Sequence, residues 1–103
     1  MIKHALFVRL EAKPGKESAL AQFLSAGLAM ANEEATTPIW FALQLTPTSF
    51  GIFDAFETEQ DRQAHLNGAI AHALMERASE LLATDPTIES IDVLGIKNRA
   101  RQG

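Results

Sequence analysis

The stretch FGIFDAFETEQDRQAHLNGAIAHAL, residues 50–74, decides the fold of this chain. Its first seven residues alternate with the period of a β-strand and lead directly into a segment with helical spacing. Thr58 is the predicted N-cap of that helix, because Asp61 follows three residues later in capping-box position. The helix is predicted to pause at Asn67-Gly68 and then to continue to about Leu82. A strand that leads directly into a helix allows one strand face and the first helical turns to line the same pocket.

The rest of the chain supplies three further strands and one further helix. The sequence predicts strands over residues 2–11, 39–46 and 88–96, and a helix that starts after Lys13-Pro14-Gly15 and loses its apolar pattern near Glu34. The turn between the second and third strands is predicted at residues 46–49. The order βαββαβ predicts an α+β domain of ferredoxin-like topology, with a four-stranded antiparallel sheet and both helices on one face.

The strands are apolar on both faces, which is unusual for a sheet covered by helices on one side only. In the second strand, Phe41 and Leu43 lie on one face, while Trp40 and Ala42 lie on the other. The first and third strands show the same pattern. We therefore expect the second face to be covered by another copy of the sheet, in a two-fold homodimer.

Composition limits the classes of function. The chain has 103 residues, of which 47 % are hydrophobic, as expected for one globular domain, here residues 1–97 with a tail at 98–103. A net charge of −4 without a basic stripe argues against a nucleic-acid partner. No apolar run approaches the ~20 residues of a membrane span, and the charged first residues do not resemble a secretory signal, so we predict a cytoplasmic protein. Since the chain has no cysteine, disulfides and thiol catalysis are excluded.

Three polar side chains near the strand–helix junction are candidates for chemistry. His65 could act as a general base, since histidine titrates near neutrality, or it could bridge the helix break. Asp54 lies on an apolar strand face and needs a partner, for which Arg62 and His65 are the candidates. That pair could be structural, or it could orient His65. His72 follows at a distance of seven residues, but no third ligand is evident, so we predict no metal site.

The aromatic pair Trp40 and Phe41 must face opposite sides of the second strand. If the hairpin loop has two or four residues, Phe41 lies opposite Asp54 and shares the pocket face, and Trp40 faces the second sheet. Either ring could be a core residue or a ligand contact.

The βαββαβ order, the Lys13-Pro14-Gly15-Lys16 start of the first helix, and the run FDAFE followed by AHL resemble the antibiotic-biosynthesis monooxygenases. This family includes small quinol and anthrone oxygenases built as dimeric α+β barrels. The resemblance implies a cofactor-independent monooxygenase acting on a quinol or polycyclic phenol. It also implies a proton acceptor at His65, an orienting group at Asp54 or Arg62, and substrate contacts from Phe41, Ile52, Phe56, Trp40 and Asn67.

Several positions depart from the family pattern. Phe56 replaces a frequent Trp, and Ile52 and Arg62 stand where the best-studied oxygenases have Asn and Tyr. Val8 and Met75 occupy the positions that a haem-degrading branch needs, so we expect no haem. No Gly-rich phosphate loop or nucleotide fingerprint is present, so no cofactor is expected. The alternative function is a dimeric, non-catalytic binding protein for a small aromatic ligand.

Overall fold

A computed structural model describes residues 1–97. The predicted tail, residues 98–103, lies outside the described residues. The described chain forms four strands and three helices in the order β1 (His4–Glu11), α1 (Glu17–Asn32), β2 (Ile39–Gln44), β3 (Ser49–Phe56), α2 (Glu59–Leu66), α3 (Ala69–Leu81) and β4 (Thr87–Asp92). No helix within residues 1–97 is long and apolar enough to cross a membrane.

The four strands form one antiparallel sheet in the order β2-β3-β1-β4. The predicted α+β fold of ferredoxin-like topology is therefore confirmed. β3 and β1 occupy the centre of the sheet. Asp54, the polar candidate on β3, is therefore the best buried of the polar candidate residues. The second predicted helix is divided into α2 and α3, as its Asn67-Gly68 pause predicts.

The ends of α2 are set by the residues that flank it. Thr58 Oγ1 accepts a hydrogen bond from the Asp61 backbone N–H at 3.0 Å, which satisfies one of the free donors of the first turn. At the other end, the Asn67 backbone N–H is hydrogen-bonded to the last turn, and α3 begins two residues later. This break places His65 in the last turn of α2.

The main core lies between the sheet and the helices. It joins apolar residues of β1 and β3 to those of α1 and α3, among them Val8, Leu10, Leu20, Leu24, Phe50, Ile52, Leu74 and Leu81. Burial of each such side chain contributes about 1.5–3 kcal/mol relative to exposure. This packing holds β3 rigidly beneath the helices at the level of Asp54.

The predicted orientation of the two β2 aromatics is wrong. Trp40 pairs with Asp54, and Phe41 pairs with Phe53 on the opposite face. The indole of Trp40 packs against α1 so closely that a methyl group at Gly27 would meet its Cη2 atom at 3.3 Å. The reason is the β2–β3 connection, in which the Thr46 backbone N–H bonds to the carbonyl of the β3 residue Ser49. The number of residues between paired positions is odd, whereas the prediction assumed a loop of two or four residues. The register therefore differs by one residue, and such a change exchanges the two faces of a strand.

The sheet face away from the helices remains largely apolar. Phe41 is 54 % exposed there, and half-buried Phe53 lies beside it with the two ring centroids 6.4 Å apart. A trough of about 450 Å³ follows this face, and the residues after β4, including Val93 and Ile96, line one side of it. The two-faced apolar pattern read from the sequence is therefore present in the structure.

Candidate functional site

The site is centred on Asp54, whose side chain is fully buried at 0 % exposure. β3 directs this carboxylate toward the helices, because Asp54 shares the face of Phe50 and Ile52. Oδ2 of Asp54 lies 2.8 Å from Nε2 of His65. This contact is an ion pair of poor hydrogen-bond alignment, and neither carboxylate oxygen has a well-aligned hydrogen-bond partner within residues 1–97. A buried carboxylate in that state is costly and available for chemistry.

His65 is held between two carboxylates. Its exposure is 7 %, and α2 delivers its ring over β3. While Nε2 faces Asp54, Nδ1 lies 2.6 Å from Oε1 of Glu34. The ring of Phe56 packs against the imidazole, with centroids 5.4 Å apart. Both ring nitrogens are therefore engaged, and the ring cannot turn without breaking a contact.

Glu34 approaches His65 from the segment that follows α1. The Thr37 hydroxyl donates a hydrogen bond of 2.8 Å to Oε1 of Glu34, and Thr37 is itself buried. Gly68 leaves space for the carboxylate, since a Cβ atom at that position would lie 3.2 Å from Oε2 of Glu34. The Glu34 side chain, 18 % exposed, is thus held in a fitted position rather than free in solvent.

Burial and neighbouring charges shift the pKa values of Asp54 and His65. Burial raises the pKa of Asp54, and Glu34 adds to that rise, while the contact with His65 opposes it. Burial alone would lower the pKa of His65, but its close contacts with the carboxylates of Asp54 and Glu34 together raise it above its ordinary value. The two carboxylates therefore favour the imidazolium form of His65, while burial favours the protonated form of Asp54.

Two cavities adjoin this group. The interior cavity, about 120 Å³, lies between the sheet and the helices and is lined by residues that include Val8, Ile52, Asp54, His65, Ile70 and Met75. The outer cavity, about 430 Å³, lies between the end of α1 and the α2–α3 break and is lined by residues that include Met30, Glu33, Glu34, Thr36, His65 and Gly68. His65 lines both cavities, whereas Asp54 lines only the interior one and Glu34 only the outer one.

Arg62 does not pair with Asp54, so the prediction that it could be the partner of this carboxylate is wrong. Its guanidinium donates hydrogen bonds to the backbone carbonyls of Ala5 and Ile91, at 3.2 and 3.3 Å, and forms a 2.6 Å ion pair with Glu59. Arg62 and His65 lie three residues apart and are the two buried residues of α2, but they contact different partners. Of the two partners predicted for Asp54, the structure selects His65.

The predicted substrate contacts are distributed over different parts of the molecule. Ile52 lines the interior cavity. Phe56 is fully buried behind the imidazole and is not among the residues that line this cavity. Asn67 is exposed at the helix break and lines neither cavity beside His65. Trp40 belongs to the core edge under α1, and Phe41 lies on the opposite face of the sheet.

Glu34, Thr37 and Gly68 were missed by sequence reasoning. The only signal was the loss of apolar pattern at residues 32–34, which indicates a helix end and gives no direction for the side chains. Glu34 and His65 are 31 residues apart, and only the packing of α2 against the end of α1 brings them together.

Within residues 1–97, no group of three or more His, Cys, Asp or Glu side chains is arranged to hold a metal ion. The physical reason at this site is that the imidazole separates Asp54 from Glu34. One ion cannot reach both carboxylates and a ring nitrogen at once.

The protein is an α+β domain of ferredoxin-like topology with a buried carboxylate–histidine pair beside the sheet. Comparison with solved structures identifies the proteins to which it is similar. A protein of unknown function from Nitrosomonas europaea is 57 % identical, with 95 % of each chain covered and a TM-score of 0.94. A second Nitrosomonas europaea protein, provisionally named an antibiotic biosynthesis monooxygenase, is 19 % identical over 89 % of this chain and 90 % of its own, with a TM-score of 0.79. A similarly named protein from Deinococcus radiodurans is 18 % identical over 92 % and 96 %, with a TM-score of 0.78.

The chain therefore belongs to the same protein family as the Nitrosomonas europaea protein of unknown function. It shares the fold of proteins provisionally named antibiotic biosynthesis monooxygenases. No protein-family model matches the sequence, and no functionally curated protein matches it either.

Proposed function

We propose that this protein is a small monooxygenase that needs no cofactor and oxidises a single-ring phenol or quinol with O₂. The observation that carries the proposal is the fully buried Asp54 carboxylate, which lines an apolar cavity and is paired with His65. A carboxylate whose pKa is raised by burial is a stronger proton acceptor than an exposed carboxylate. The apolar walls would exclude water from the reactive anion.

The size of the interior cavity limits the substrate. A cavity of about 120 Å³ is close to the ~150 Å³ cavity that accepts benzene in an engineered protein. Polycyclic ligands need sites nearer ~300 Å³. Of the two substrate classes that the family resemblance implies, the single-ring compounds are closer in size to this cavity than the polycyclic ones.

The reaction needs one proton acceptor and O₂ as the oxidant. Asp54 takes the hydroxyl proton, and the electron-rich phenolate gives electrons to O₂, so that a C–O bond forms at a ring carbon. The resulting peroxide recovers the proton, and loss of water leaves a second carbonyl. A phenol and O₂ thereby give a quinone and water, with atoms and electrons balanced. Asp54 is assigned the first step rather than His65, since both nitrogens of His65 are already engaged.

The alternative function is a non-catalytic binding protein for a small aromatic ligand. The full engagement of His65 favours it, and so do Ile52 and Arg62, at positions where the family's oxygenases have polar residues. Both functions use the same interior cavity, so only turnover distinguishes them.

Oxygen uptake with substituted hydroquinones and phenols tests the proposal, with quinone absorbance as a second readout. We expect uptake by the wild type and a loss of at least about 100-fold in Asp54→Asn, as for removal of a general base. Asp92→Asn, at an exposed carboxylate of β4, is the matched control. Calorimetric binding of these compounds without any oxygen uptake would refute the monooxygenase and support the binding protein.

We also propose that the protein is a homodimer joined through the apolar sheet faces. Exposed Phe41 and the trough beside Phe53 support this assembly, because monomeric proteins rarely leave such a surface uncovered. An obligate interface of this kind should bury more than about 2,000 Å² in total.

A further inference from the structure

Glu34 is the one carboxylate at the site that lies outside the interior cavity yet touches a group that lines it. Its Oε1 atom lies 2.6 Å from Nδ1 of His65, and the Thr37 hydroxyl holds it from the other side at 2.8 Å. Gly68 leaves room for the second oxygen. Three elements of the chain thus fix a carboxylate against the outer nitrogen of the imidazole.

We propose that Glu34 is a positioning residue for the reaction at Asp54: it keeps His65 fixed and protonated, so that the carboxylate of Asp54 remains available as the proton acceptor. This inference rests on the proposed function. Glu34 itself touches no substrate, because it lines only the outer cavity.

The charge balance gives the physical reason. The two carboxylates beside the ring nitrogens favour the imidazolium form of His65, and in that form each carboxylate faces a positive charge. If Glu34 is neutralised, one of the two groups that favour the imidazolium is lost, and desolvation favours the neutral ring. Asp54 then faces no positive charge and binds a proton itself, which removes the acceptor.

Among residues 1–97, no other charged group contacts His65. The groups that face His65 are Asp54 from β3 and Glu34 from the segment after α1, while Phe56 supplies only an aromatic ring. On the same helix, Arg62 is bonded to backbone carbonyls and to Glu59. The proton that Asp54 takes from the phenol returns to the peroxide, and His65 and Glu34 keep their charges throughout.

The kinetic test compares Glu34→Gln with Glu33→Gln, a matched control at an exposed glutamate that lines the same outer cavity. We expect Glu34→Gln to lower kcat at least tenfold at about pH 8, with a smaller loss at about pH 6, where the lower pH itself favours protonation of the ring. KM should stay unchanged, and Glu34→Asp should recover most of the rate. An equal loss in Glu33→Gln, or a change in KM alone, would overturn the assignment.

A second measurement needs no substrate. Nitrogen-15 NMR should show the His65 imidazolium titrating at lower pH in Glu34→Gln than in the wild type, and an unchanged titration would overturn the proposal. In Glu34→Ala, added formate should enter the outer cavity and restore the wild-type titration, whereas a folded variant without rescue would count against direct contact. If the wild type oxidises no phenol, the proposed function fails, while the NMR titration still decides whether Glu34 controls His65.

Discussion

Replacing His65 with alanine should destabilise the protein by an amount that depends on pH. The variant removes the only ion-pair partner of Asp54, a carboxylate with 0 % exposure and no well-aligned hydrogen bond within residues 1–97. An isolated buried carboxylate binds a proton rather than remain charged. Folding of the variant must therefore include uptake of a proton by Asp54.

The size of the loss in stability follows from the free energy needed to protonate Asp54 when the variant folds. With an unfolded-state pKa of about 3.9 and about 1.36 kcal/mol per pH unit, protonating the carboxyl costs about 3.5 kcal/mol at pH 6.5 and about 1 kcal/mol at pH 4.5. The pKa of Asp54 is already raised in the wild type, so part of this cost is common to both proteins. We therefore expect the loss of stability caused by His65→Ala to be about 2 kcal/mol greater at pH 6.5 than at pH 4.5.

The sign follows from the direction of each pKa. In the variant, the folded-state pKa of Asp54 is raised, so its contribution to stability is present at low pH and is lost as the pH rises from about 3.9 toward the folded value. In the wild type, the pKa of His65 is also raised, and its contribution is complete below about pH 6.5 and declines above it. The window from pH 4.5 to 6.5 therefore isolates the carboxyl.

Urea unfolding followed by the fluorescence of Trp40 provides the assay, at equal protein concentration for all variants. The double variant Asp54→Asn/His65→Ala has no carboxyl to protonate and should lose the added pH dependence. His72→Ala, at an exposed histidine of α3, is the control for a histidine deletion as such. A loss of stability in His65→Ala that is equal at pH 4.5 and 6.5 would refute the reasoning.

Two further predictions concern assembly and bound groups. The wild type should sediment as a dimer at micromolar concentration. Phe53→Asp should sediment as a monomer, because it places a charge in the apolar trough. A monomeric wild type would contradict the proposed interface. Purified protein should contain no stoichiometric metal by elemental analysis, because the chain lacks cysteine. It should also show no saturable Soret titration, because Val8 and Met75 stand where the family resemblance would place the Asn and His of a haem-degrading enzyme. One equivalent of zinc or haem per chain would contradict these predictions.

Much of the fold was accessible to local reasoning. The Thr58 cap and the Asn67-Gly68 break act over a few residues, and both appear in the structure where the sequence predicts them. The fourth strand, predicted over residues 88–96, ends earlier and spans Thr87–Asp92. The site was accessible in part. Asp54 and His65 lie eleven positions apart on a strand and the helix that follows it, so the geometry of that connection was enough to bring them together.

The sequence by itself determined the elements, their order, the sheet with two apolar faces, and a carboxylate that must find a partner. Only the tertiary structure decided that this carboxylate, Asp54, pairs with His65 and that the ring of Trp40 lies on the same face of the sheet. Arg62 donates hydrogen bonds to backbone carbonyls of neighbouring strands instead of pairing with Asp54. Trp40 rather than Phe41 faces the helices, because a difference of one residue in the hairpin exchanges the two faces of β2. Glu34 reaches His65 across 31 residues through packing between helix ends, and such long-range contacts leave no periodic trace in a single sequence.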